Sequence, residues 1–110
     1  MHPWPDMKWW NSGERQVVEE RLDDFKRAGS IYNPEHSQLY RALSVTPEAD
    51  VRVVVLGQDP YPAHAMSTGI AFSVPRVVLQ PAFPQTLRII FDEYRSDLGY
   101  DIPSHGDLTG

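Results

Sequence analysis

The sequence predicts an α/β fold, a parallel sheet flanked by helices, on three observations. Val53-Val54-Val55-Leu56 is an unbroken apolar run, mostly β-branched, the pattern of a strand covered on both faces. Segments with apolar residues at helical spacing lie before and after it in the chain. The run ends in Gly57-Gln58-Asp59-Pro60-Tyr61-Pro62, a stiff polar turn at the carboxyl end of the strand, where open α/β sheets bind their ligands.

The elements follow in order. Residues 1–11 carry Trp4, Trp9 and Trp10 among prolines and read as an irregular arm anchored by its aromatic rings. Asn11 with Glu14 has the spacing of a capping box. The helix after it keeps Val18, Leu22 and Phe25 on one face and stops near Gly29. Its acidic residues Glu19, Glu20, Asp23 and Asp24 read as a solvated surface. Asn33-Pro34 reads as the N-cap and first residue of a second helix, with Leu39, Tyr40 and Leu43 on its buried side. A polar turn, 46–50, leads into the strand at 51–56. A short strand, Gly69–Val74, follows the turn and the loop 63–68. After a proline-bearing loop, 75–84, a third helix opens near Thr86, which reads as its N-cap. Its stripe is Leu87, Ile90, Phe91, Tyr94 and Leu98, with Gly99 as its stop.

Composition bounds the rest. At 110 residues the chain holds one small domain at most. Apolar residues make up 41 % and aromatics 11 %, which excludes a disordered tail. There is no cysteine, so disulfides and thiolate metal sites are out. His2, His36, His64 and His105 lack metal-ligand spacing, and no metal is assigned. No stretch is apolar enough to span a bilayer, and the N-terminus is unlike a signal peptide. The expected location is the cytoplasm, with no membrane partner. The net charge of −5 argues against a broad basic nucleic-acid footprint, while a narrow groove using backbone N–H groups stays open. Two strands are fewer than a parallel sheet needs. The missing neighbours are expected from another chain or from the rest of a larger domain.

The chemistry concentrates in the turn. Gly57 permits a close approach by ligand, and Pro60 holds the Asp59 backbone extended. A carboxylate fixed in this way suits general-base work; an isolated Asp-Pro would read only as an Asx-type turn. Phe72, in an apolar strand, reads by default as core. Thr86, at a helix start, is placed either to cap the helix or to contact a phosphate.

Gly57-Gln-Asp-Pro-Tyr-Pro62 followed by Gly69-Ile-Ala-Phe-Ser-Val74 resembles the water-activating loop and next strand of family 1 uracil-DNA glycosylases, at the family's spacing from Asp59 to Phe72. Tyr32-Asn-Pro-Glu, Leu39-Tyr-Arg-Ala-Leu43, Pro84-Gln-Thr-Leu87 and His105-Gly-Asp-Leu-Thr109 resemble flanking parts of the same family. The similarity covers about residues 30–110. Pro62 stands where His is commonest and Ile89 where Asn is usual. The resemblance implies a three-layer fold present only in part, with 1–110 as the N-terminal portion of a single domain. It implies hydrolysis of the N-glycosidic bond of uracil in DNA, without cofactor, as the first step of base excision repair. Asp59 would be catalytic; Gln58, Tyr61 and Phe72 would bind the base; Thr86 and Pro84 would contact DNA phosphate. In the family the chain continues past the position of Gly110, with the Asn that reads uracil, a catalytic His and a Leu wedge. A missing C-terminal half or a separate partner chain is therefore expected to supply them. The alternative is an inactive remnant, or one half of a split enzyme acting as an interaction module.

Overall fold

The computed structural model describes residues 4–63 and 65–109; the start of the arm, His2 and His64 lie outside the described residues. Among the described residues there are four α-helices, α1 (Lys8–Asn11), α2 (Glu14–Arg27), α3 (Arg41–Val45) and α4 (Gln85–Leu98). Single 3₁₀ turns stand at His36–Gln38, Glu48–Asp50 and Gln80–Ala82.

The N-terminal arm is more regular than its prolines suggest, since Lys8–Asn11 form a helical turn. Asn11 therefore does not cap α2. Its amide donates back to the carbonyls of Pro5 at 3.2 Å and Met7 at 3.5 Å. Gly13, at φ +85°, occupies the cap position of α2, a conformation that costs glycine little. The Ser12 hydroxyl accepts the Glu14 N–H at 3.3 Å. The tryptophans do anchor the arm: Trp10 meets Tyr40 edge-on at 4.9 Å between ring centroids, and the Trp4 indole N–H donates to the Thr46 carbonyl at 3.0 Å. Arg15 lies over the Trp10 ring and holds Glu19 through both carboxylate oxygens. Glu19 is thus a paired group, not part of the solvated face.

Helix α2 stops as its sequence predicts. Gly29 takes φ +84°, its N–H reaches the Lys26 carbonyl, and the Ser30 N–H reaches that of Phe25 at 2.9 Å, the double bond of a Schellman end. Its apolar face is only partly covered: Leu22 is half-buried, while Phe25 is exposed. The second helix does not start at Pro34. Glu35 is extended, with ψ 151°, so helical geometry begins at His36 and becomes α-helical only at Arg41.

Neither predicted strand forms. Val53, Val54, Val55 and Leu56 are extended without a partner, and Leu56 is 87 % exposed. A strand exists only when a neighbour takes up its N–H and C=O groups, and among the described residues none forms a backbone hydrogen bond with Val53–Leu56. Gly69–Val74 is a turn. Gly69 and Phe72 both have positive φ, +82° and +65°, and the Ser73 N–H closes onto the Ile70 carbonyl at 3.2 Å. Extended pairing is impossible with that backbone. The described β-pairing is an isolated antiparallel bridge between Leu79 and His105, so the parallel sheet is not observed among the described residues. A bare apolar segment with open edges favours association between copies. Val54→Lys is expected to lower the apparent mass at high protein concentration in light scattering; identical masses for both proteins at every concentration would contradict this.

The core is built by α4 and the loops around it. Val74, Phe83, Leu87 and Phe91 are buried together, with Tyr61, Met66, Val78 and Ile102 packed against them. Leu87 and Phe91 come from the predicted stripe of α4, whereas Ile90, Tyr94 and Leu98 stay exposed. The helix starts two residues earlier than predicted, with Pro84 as N-cap and Thr86 inside its first turn. Pro84 cannot cap with a side chain, so its carbonyl takes the Arg88 N–H at 3.1 Å. Gly99, at φ +72°, ends the helix as predicted.

The segment 103–109 closes this core from below. The Val74 N–H donates to the Gly106 carbonyl at 3.0 Å. The buried Ser73 hydroxyl accepts the Leu108 N–H at 3.0 Å. A Cβ on Gly106 would fall 2.5 Å from Val74 Cγ2 and 2.8 Å from Leu87 Cδ2. Gly106→Ala is therefore expected to destabilise the chain by about 1–3 kcal/mol through overpacking, read as a lower urea midpoint. An unchanged midpoint would mean that the loop is not seated on Leu87.

Candidate active site

The turn 57–62 projects over the segment 67–73, and an open cavity of about 560 Å³ lies between them. That size is typical of small-molecule sites, which run about 300–1,000 Å³. Gln58, Asp59, Tyr61, Phe72 and Thr86 all line it, brought together from three separate stretches of sequence. Pro84 is not among its lining residues and stands one turn-start away, as the cap of α4.

Three contacts hold the cavity walls. The Asn33 amide donates to the Pro62 carbonyl at 3.3 Å, tying the end of the turn to the segment before α3. Arg41 donates to the Thr68 carbonyl at 3.2 Å, which draws the 67–70 loop onto α3. The Tyr61 hydroxyl donates to the Phe72 carbonyl at 2.8 Å, spanning the two sides of the site directly. Burial raises the Tyr61 pKa above that of an ordinary phenol.

Phe72 has φ +65°, a left-handed backbone that costs a non-glycine residue about 1–3 kcal/mol. Its ring tip reaches the turn: Phe72 Cζ lies 3.8 Å from where a Gly57 Cβ would stand. The ring thus stands in ordinary van der Waals reach of the start of the turn. The half-exposed ring is not a core residue, contrary to its default reading. Asp59 is exposed to the cavity, and among the described residues no donor engages its carboxylate. Sequence reasoning missed Pro34, Leu39, Ser67 and Gly69 as cavity walls. Only Gly69 carried a signal, being a glycine at the entry to an apolar run.

Among the described residues no group of His, Asp and Glu is clustered to hold a metal ion, and no helix is long and apolar enough to cross a membrane. What the site does offer is an exposed carboxylate, Asp59, and an aromatic side chain, Phe72, lining one open cleft.

No family model matches the chain. Curated relatives do. The chain is 37 % identical over 111 residues to a protein named uracil-DNA glycosylase from Acinetobacter baylyi, covering 94 % of this chain and 46 % of that one. It is 46 % identical over 94 residues to the protein of that name from Acinetobacter baumannii, covering 82 % and 38 %. With that of Mycobacterium bovis it shares 49 % over 82 residues, covering 74 % and 35 %. Over the matched residues the chain is thus similar to proteins named uracil-DNA glycosylase. It spans less than half the length of these relatives.

Proposed function

We propose that this chain carries the water-activating and base-stacking part of a uracil-DNA glycosylase of the cytoplasm, acting on uracil in DNA to begin base excision repair. The observation that supports this most is the convergence of Asp59, Gln58, Tyr61 and Phe72 on one cavity. The target nucleotide leaves the base stack and enters that cavity. Phe72 stacks on the base, a contact worth about 1–3 kcal/mol, and Gln58 contacts its edge. The Tyr61 ring fills the space that a thymine methyl would need; a methyl excluded by a rigid wall is rejected more strongly than one merely unaccommodated. Asp59 orients a water at the anomeric carbon, stabilises the oxocarbenium-like transition state and takes the proton that the water gives up. The C–N bond breaks towards the base, which leaves as an anion. Thr86, in the first turn of α4, meets a phosphate of the flipped nucleotide where helix N–H groups point outward, and Pro84 presses on the backbone beside it. The three-layer fold with a parallel sheet belongs to the same proposal, its missing strands and the uracil-reading Asn, His and Leu coming from a further C-terminal part.

A second reading is that the chain is an interaction module, an inactive remnant or one half of a split enzyme. It is favoured by the bare segment Val53–Leu56. One experiment separates the two: the chain is joined to the portion of the Acinetobacter baylyi relative that it does not span, and uracil release from a single-stranded uracil oligonucleotide is measured. Release, lost with Asp59→Asn, is the expected result. A folded chimera that releases none rejects the glycosylase reading and leaves the interaction module.

A further inference from the structure

We propose that Tyr61 is a positioning residue for Phe72: its hydroxyl braces the Phe72 backbone in the left-handed conformation that lays the aromatic ring along the Gly57 turn. This rests on the base-binding reading of the cavity and assigns the Tyr61 hydroxyl a task separate from that of its ring.

Three observations carry it. Phe72 is a bulky residue at φ +65°, a conformation that such residues leave unless something holds them. The Tyr61 hydroxyl donates to the Phe72 carbonyl at 2.8 Å, the one side-chain bond to the Phe72 backbone among the described residues. The Tyr61 ring is itself packed against the buried cluster of Val74, Phe83, Leu87 and Phe91, so the brace has a rigid foot. On the other side, Phe72 Cζ sits at van der Waals distance from the Gly57 position. Relaxing φ at Phe72 to a negative value would swing the ring off the turn, away from Asp59. One phenol therefore does two jobs at opposite ends. Its face closes the cavity against a 5-methyl group, and its hydroxyl sets the pose of the stacking ring.

Tyr61→Phe separates the two, because it keeps the face and removes the hydroxyl. The test uses the isotopically labelled 110-residue chain, with free uracil and free thymine as probes. The expected result is that the Phe72 carbonyl ¹³C resonance and its HN–Hα coupling move away from left-handed values. Uracil then binds about three- to tenfold more weakly, the weight of one hydrogen bond, and the preference for uracil over thymine is kept. Phe72 resonances that do not move overturn the brace, and so does a moved backbone with unchanged uracil affinity. If the unsubstituted chain binds neither base, the Phe72 backbone of the variant alone decides the brace, and uracil release from the chimera decides the glycosylase reading. Should Tyr61→Phe fail to fold, 3-fluorotyrosine incorporated at position 61 keeps the shape and sharpens the donor. A shifted Phe72 carbonyl resonance then supports the brace, and an unshifted one overturns it.

Discussion

Gly69→Ala should be the most damaging single-methyl change in the chain. A Cβ at this position would stand 2.1 Å from the Gln38 carbonyl oxygen and 3.0 Å from Arg41 Cβ, and the obstructing carbonyl is backbone that cannot rotate away. The residue also holds φ +82°, which costs an L side chain about 1–2 kcal/mol. Overpacking adds about 1–3 kcal/mol, so a loss of more than about 2 kcal/mol is expected in urea denaturation, a large share of the stability of a small domain. The loop would have to lift off α3, breaking the bond from Arg41 to Thr68 and opening the cavity wall. Base affinity is expected to fall along with the midpoint. A variant as stable as the parent would show that the 67–70 loop does not lie against Gln38.

Asp59→Asn should have the opposite signature, with stability untouched and chemistry lost. Among the described residues the carboxylate makes no hydrogen bond and lines an open cleft, and the amide has nearly the same shape. The urea midpoint is expected to stay where it is. In the chimera that releases uracil, the rate should drop about 10²–10⁴-fold, the usual range for a positioned acid or base. That corresponds to about 2.7–5.5 kcal/mol in the barrier. Binding of free uracil should persist, because the proposed mechanism has Asp59 act on the sugar and the water, not the base. Rates within a few-fold of the parent would remove Asp59 from the mechanism and the turn from its central place in the proposal.

The contrast between these positions bears on what could be read from the sequence. Local rules served well where local chemistry decides the outcome. Gly29 and Gly99 end their helices because both require a left-handed residue there, and the spacing of Leu87 and Phe91 placed both in the core. The turn 57–62 was legible because Gly, Pro and a carboxylate stand together after an apolar run, and its neighbours in space were legible through family resemblance. What failed depends on partners. Val53–Leu56 has the composition of a buried strand, but burial is a property of the neighbours, and the described residues leave it exposed. Gly69–Val74 has the composition of a strand as well, yet the approach of Gly69 to Gln38 and the bond from Tyr61 to Phe72 turn it back on itself. Neither contact leaves a mark in the spacing of residues. Capping was misjudged at Asn11 and Thr86 for a related reason: each has the right side chain, but a residue two positions away, Gly13 or Pro84, took the cap position.

The wedge formed by Gly106 has a practical side. Residues 103–109 contain neither helix nor strand and would ordinarily be chosen for grafting an epitope or a fluorescent reporter. Here a single methyl group already collides with Val74 and Leu87, so an insertion at that point would pry apart the hydrophobic centre of the molecule. The outward positions Glu20, Asp23 and Asp24 of α2 are the safer attachment points, and a dye carried there would leave the cleft around Phe72 unobstructed.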